Sequence, residues 1–168
     1  MYASDEVDKI VEELEFIETE RRQLHANGPH FRILHRSARQ FTPCGSYEPV
    51  AAYLVHAGRT YQVRLGTLLG LFDYMARHNK LAQTARQIER GTRTGSSMVG
   101  RLAAVPARRI PRRYIRVYTG RIRMALGKAL HEAGIEVSPD AVLVSEECAM
   151  NETGYRFHAT FEWLHIVE

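Results

Sequence analysis

Cysteine is almost missing from this chain: Cys44 and Cys148 are the only two in 168 residues. No disulfide framework can be built from them, and a reducing compartment is expected. Long apolar runs are missing as well. No stretch of about 18 apolar residues occurs, so no membrane-spanning helix is expected. The opening MYASDEVDKIVEELE is acidic, with no basic region leading into an apolar one. A secretory signal is therefore not expected, and the cytoplasm is the expected location. Catalytic and metal signatures are equally scarce: there is no HExxH, no paired-cysteine site and no nucleophile elbow. At Gly95-Ser96-Ser97 no lysine follows the glycine, as a phosphate-cradling Walker loop would need. The eight histidines are scattered. His158, Glu162 and His165 lie near one another, but along one strand His165 points away from the other two. No enzymatic activity, metal or cofactor is expected.

Acid is the other shortage, and it is local. Residues 84–128 hold twelve basic residues against Glu89 alone, a net of +11. Residues 1–20 hold eight acids against Lys9, a net of −7, and residues 129–168 hold eight acids against Arg156, again −7. Residues 21–83 carry +7, and the whole chain +4. So steep a segregation is the footprint of a polyanion-binding surface. The competing arrangement pairs these arginines with the acidic terminal segments.

With 45% hydrophobic residues the chain can bury an ordinary core. Two units are expected: an N-terminal helix over residues 1–28 and a second unit over 29–168. Ser4 is a suitable N-cap, with acids following in the first turn. Val7, Ile10 or Val11, Leu14, Ile17 and Leu24 fall on a heptad-like stripe interrupted by Arg21. That stripe suits either a dimeric coiled coil or packing onto the rest of the chain. Phe31 to His35, Val50 to His56 and Thr60 to Leu65 read as strands, with residues 42–49 as loop. Thr67 to His78 and Leu81 to Arg90 read as helices, and residues 91–107 as a glycine-rich loop. Ala141 to Glu146 and Tyr155 to Ile166 read as two further strands.

The segment everything else is arranged around is Arg108 to Leu130. Behind Pro111, which suits a first helical turn, apolar residues recur at Ile115, Tyr118 or Thr119, Ile122, Leu126, Ala129 and Leu130. That spacing marks one face of a helix over residues 111–133, with Gly134 as its C-cap. Arg112, Arg113, Arg116, Arg121, Arg123 and Lys128 lie on the other faces.

The order strands, helix, helix, loop, basic helix, hairpin resembles the effector domain of OmpR/PhoB-type response regulators, without their receiver domain. The resemblance covers about residues 50–168. Leu68-Leu69-Gly70-Leu71-Phe72 is similar to that family's first helix, and Arg121 to Leu130 to its arginine- and leucine-bearing third. Gly154-Tyr155-Arg156-Phe157 stands where the family's wing hairpin closes on a Gly-Tyr-Arg-hydrophobic motif. The resemblance implies an α+β winged helix-turn-helix: a small antiparallel sheet, three helices and a C-terminal β-hairpin wing, here with an N-terminal amphipathic helix. It implies a transcription regulator that binds double-stranded DNA sequence-specifically.

On that reading the basic helix enters the major groove, with Arg113 and Arg116 on base edges and Gly120 allowing close backbone approach. Arg112, Arg121, Arg123, Arg93 and Arg101 are assigned to phosphates, and Arg156 on the wing to the minor groove or its phosphates. Partners expected are DNA, a second copy through the N-terminal helix, and RNA polymerase or another protein. Two other readings compete: an RNA- or ribonucleoprotein-associated protein using the 84–128 surface, and an interaction module for an acidic protein. Exposure of Phe157 and Phe161 would favour RNA, which is read by stacking on aromatics.

Overall fold

The computed structural model describes residues 2–42, 45–94 and 112–166. It is a mixed α+β structure built around two sheets. Helix α1 runs Tyr2–Asn27, followed by strands β1 (His30–Thr42), β2 (Gly45–His56) and β3 (Arg59–Val63). A 3-10 turn at Gly66–Leu68 leads into α2 (Leu69–Arg77). Next come β4 (Gln83–Thr84), α3 (Ala85–Thr94) and α4 (Arg112–Glu132). A short α5 (Pro139–Val142) leads into β5 (Leu143–Glu147), β6 (Thr153–Phe157) and β7 (Thr160–His165). No described helix is long and apolar enough to cross a membrane.

The first sheet has the order β3-β2-β1-β7, with β7 parallel to β1 and the other pairs antiparallel. The second is antiparallel, in the order β4-β6-β5. Three features depart from the sequence expectation. Residues 45–49 belong to β2, because β1 and β2 form one long hairpin that continues past the expected loop. Gln83 and Thr84 form a strand, too short to show alternation. The expected strand Tyr155 to Ile166 breaks at His158 and Ala159, and its second half joins the other sheet. The break is held by His158 N–H donating to Val142 O and Thr160 N–H donating to Pro29 O.

One core joins the sheets. Phe72 on α2 meets Phe31, Phe157 and Phe161 edge-on, at ring separations of 5.9, 5.1 and 5.9 Å. Such edge-to-face pairs stabilise beyond the area they bury. Phe157 is buried and Phe161 packs partly buried against the core, so neither is an open stacking platform. α4 buries Ile115, Thr119, Ile122, Leu126, Ala129 and Leu130, the face its spacing marked. Its end follows from Gly134, whose φ of +71° closes the last turn, with Ile135 N–H donating to Leu130 O and Gly134 N–H to His131 O.

The core also contains one charged knot. Asp73 on α2 is completely buried. Its Oδ1 accepts from Trp163 Nε1 at 2.8 Å and lies 3.3 Å from His35 Nε2, and its Oδ2 accepts from Arg77 Nε at 3.1 Å. The Arg77 guanidinium also lies over the Trp163 ring, 5.3 Å from its centre. Burial pushes the Asp73 carboxyl up, but the His35 hydrogen bond, the Arg77 charge and the Trp163 hydrogen bond outweigh it and hold it below its ordinary value. These four residues tie α2 to β1 and β7.

Candidate nucleic-acid interface

α4 positions the site because its buried face fixes which side chains point outward. At 100° per residue, the outward crest carries Arg113, Val117, Gly120, Arg121, Met124 and Lys128, with Arg116 on one flank. Arg112, Arg113, Arg116, Arg121 and Lys128 are exposed, and no described carboxylate pairs with their side chains. The Arg112 backbone N–H donates to Glu89 Oε2 on α3 at 2.7 Å, so a carboxylate caps the helix where the dipole favours it. The guanidinium of Arg113 lies 4.9 Å from the Tyr114 ring and that of Arg121 6.0 Å from the Tyr118 ring. Those contacts pre-order both side chains without consuming their charge. Tyr118 is half-buried against the core while Tyr114 is exposed.

Three other arginines are committed internally. Arg123 donates from Nε and Nη2 to Leu143 O at 3.0 and 2.7 Å and from Nη2 to Ser145 Oγ at 2.7 Å. It also lies 3.3 Å from Asp140. Expected among the outward groups, it instead clamps α4 to β5, because its position falls at the edge of the buried face. Arg156 pairs with Glu146 across the β5–β6 hairpin at 2.6 Å. Arg86 on α3 pairs with Glu152 at 3.3 Å. The acidic C-terminal segment therefore neutralises the hairpin side of the basic region and makes no ion pair on the outward face of α4 among the described residues, though Glu132 borders that face.

The remaining sequence candidates divide simply. Arg93 lies on α3, which continues to Thr94 and so takes in the first residues of the expected loop. Arg101, like Pro111 and the rest of that loop, lies outside the described residues. A Cβ built on Gly120 would meet nothing within 4 Å, so no neighbour in this chain requires a glycine there. At Gly154 a Cβ would lie 2.5 Å from Cys148 Sγ and 3.1 Å from Ala82 Cβ. That is why the Gly-Tyr-Arg-Phe stretch starts with glycine: β6 passes tightly beside the start of β4.

The structure adds residues that spacing alone did not mark. Arg64, just past β3, shares a cleft of about 260 Å³ with Arg121 and Lys128, alongside Gln62, Met124 and Glu132. Its signal was only an alternating polar position beside Val63. Val117 and Met124 stand out on the crest, Met124 at 66% exposure. The β5–β6 connection contains a 3-10 turn, Ala149–Asn151, that presents Met150 at 88% exposure. Among the described residues no group of three or more His, Cys, Asp or Glu could hold a metal. Glu162 is held by Arg32 Nε at 2.7 Å and His30 Nε2 at 3.0 Å, and the Arg32 hydrogen bond is the main cause lowering its pKa. No family model matches the chain, and no curated protein or solved structure matches it.

Proposed function

We propose that the chain is a winged helix-turn-helix protein that binds double-stranded DNA and regulates transcription, with α4 in the major groove and the β5–β6 hairpin against the backbone. The observation that carries the reading is the row of exposed cations on α4, unpaired by any described carboxylate although acids neutralise the arginines to one side. A chain that only needed to balance its charge would pair Arg113, Arg116 and Arg121 as it pairs Arg86, Arg123 and Arg156. The order α2, β4, α3, α4 and hairpin, with β4 adding to the hairpin's sheet, supports the winged-helix assignment.

On this reading Arg113 and Arg116 reach base edges, since a guanidinium can grip guanine O6 and N7 together. Val117 and Met124 on the same crest suit the thymine methyl, and Gly120 leaves room for the duplex to come close. Arg112, Arg121, Lys128 and Arg64 take phosphates, which position the helix without reading sequence. Arg123 sets the angle between α4 and the hairpin and touches no nucleic acid. RNA is the less favoured polymer, because Phe157 and Phe161 are occupied in the core.

Fluorescence anisotropy with random duplex DNA and structured RNA of equal length, across a salt series, tests this. Duplex affinity should fall steeply with salt, with a log–log slope of about −0.9 per phosphate contacted. Negligible binding of both polymers at low salt would refute the proposal and point to an acidic protein partner. Once a preferred site is selected, Arg116→Ala should alter which sequence is preferred. Arg64→Ala should weaken all sequences alike and reduce the slope by about one.

A further inference from the structure

α1 is a 26-residue helix that, among the described residues, is anchored to the rest of the molecule near its C-terminal end. Leu24 packs partly buried on the core, Ala57 N–H donates to Glu20 Oε1 at 3.1 Å, and Thr160 Oγ1 donates to Asn27 O at 3.3 Å. Ahead of this anchor, Val7, Ile10, Val11, Leu14 and Ile17 form an uncovered stripe, each between 45% and 59% exposed. Helices in water owe most of their stability to packing of an apolar face, so this stripe needs a cover. Its spacing is heptad: Val7, Leu14 and Arg21 at a, and Ile10, Ile17 and Leu24 at d.

We infer that the cover is α1 of a second copy, paired antiparallel with the two-fold axis near residue 12. Register selects this orientation, because the acidic segments repel one another in either one. Acids dominate residues 5–20, whereas Arg21, Arg22 and His25 lie at the other end. A parallel pair would stack Arg21 on its own copy inside the seam and set Val11 at e against Glu6 at g. The antiparallel pair layers Val7 on Ile17 and Ile10 on Leu14 of the second copy. It packs Val11 on its own copy at the axis and brings Arg21, unpaired among the described residues, to the acidic first turn carrying Asp5 and Glu6. Opposed helix dipoles favour it further. The pairing uses only the free part of α1 and leaves Leu24 in its own core. Glu13 then faces its own copy and Glu6 faces Glu20 of the second, repulsions that salt screens. The anchored ends of the two helices, about 30 residues of rise apart, lie about 45 Å from each other.

The inference stands independently of what α4 binds, and salt separates the two: salt should tighten the dimer while weakening binding to any polyanion. Sedimentation velocity of the full chain should show a species of twice 19.2 kDa, its population rising from about 50 to 500 mM salt. Leu14→Asp, at a position outside the core, should leave the circular dichroism of the folded part intact and weaken association on the order of a hundredfold. Val7→Cys mixed with Ile17→Cys should form a mixed disulfide dimer under mild oxidation, and neither variant alone should. A chain that stays monomeric at every salt overturns the inference. Self-linking of Val7→Cys alone overturns the antiparallel orientation.

Discussion

α1 and α4 are the two longest of the described helices, and both repeat apolar residues at helical spacing, yet they end in opposite situations. The stripe of α4 is buried against β3, α3 and α5, and its outward face holds cations that no described carboxylate pairs. The stripe of α1 stands in water, and its flanks hold acids. Periodicity reports a face in need of cover, while the identity of the cover depends on what the rest of the chain brings alongside. For α4 the cover is in the same chain, and its charge stays exposed. For α1 the apolar face itself is left.

A matched pair of truncations separates the two helices. Leu126→Ala should lower the unfolding free energy by about 2–5 kcal/mol, the range for emptying a packed site. Leu14→Ala, in dilute protein, should change it by less than about 0.5 kcal/mol. Urea unfolding followed by fluorescence of Trp163, the single tryptophan, measures both. Equal losses would mean that α1 is packed on its own chain after all.

α2 sharpens the point that cover can be polar. Asp73→Asn keeps an acceptor for Trp163 but removes the charge facing Arg77 and His35, at a cost of roughly 2 kcal/mol. The Asp73 carboxyl sits below its ordinary 3.8 in the folded protein. Its contribution is therefore complete above the unfolded value and drains away as pH falls toward the folded one. The gap between wild type and Asp73→Asn should be constant above about pH 5 and close below about pH 4. A gap that persists at low pH would show that the charge is not what stabilises the knot.

The two helices also end differently, though both end at a left-handed glycine. Gly28, with φ of +70°, would place a Cβ 2.1 Å from the His158 carbonyl oxygen, whereas Gly134, at +71°, has open space around it. Gly134→Ala should cost only the backbone term, about 1 kcal/mol. Gly28→Ala adds a backbone clash and should cost at least about 2 kcal/mol. Thermal melts of the two variants give the ordering, and a reversal would mean that the α1 anchor yields more easily than its packing implies.

Much of α4 could be read directly from the residues. Its buried positions, its Gly134 cap and its basic face all follow from one periodicity and one residue type at a time. What escaped was decided by distant partners. Nothing near Tyr155 signals that the strand should break at His158, because the cause is pairing with β1 and with Val142 and Pro29. Arg123 shares spacing with Arg116, and only the placement of Leu143, Ser145 and Asp140 separates a clamp from a surface cation. Arg64 looked like one polar residue on an alternating strand, and joined the basic surface only when the sheet edge was brought beside α4. Asp73 gave no sign of burial, since beyond Arg77 its partners His35 and Trp163 lie 38 and 90 residues away.

That contrast between Arg123 and its neighbour gives the smallest but most discriminating expectation. Arg123→Ala removes hydrogen bonds from a charged donor to Leu143 O and Ser145 Oγ, and should cost about 1–2 kcal/mol of stability. Arg121→Ala should leave stability within about 0.5 kcal/mol. Duplex binding should rank them in reverse once each variant is assayed well below its melting temperature: Arg121→Ala loses one phosphate contact and about one unit of salt slope, and Arg123→Ala keeps the slope unchanged. Unfolding and anisotropy on the same two proteins therefore separate holding the helix from using it. If Arg123→Ala reduced the slope while Arg121→Ala did not, the outward face of α4 would have been drawn on the wrong side of the helix.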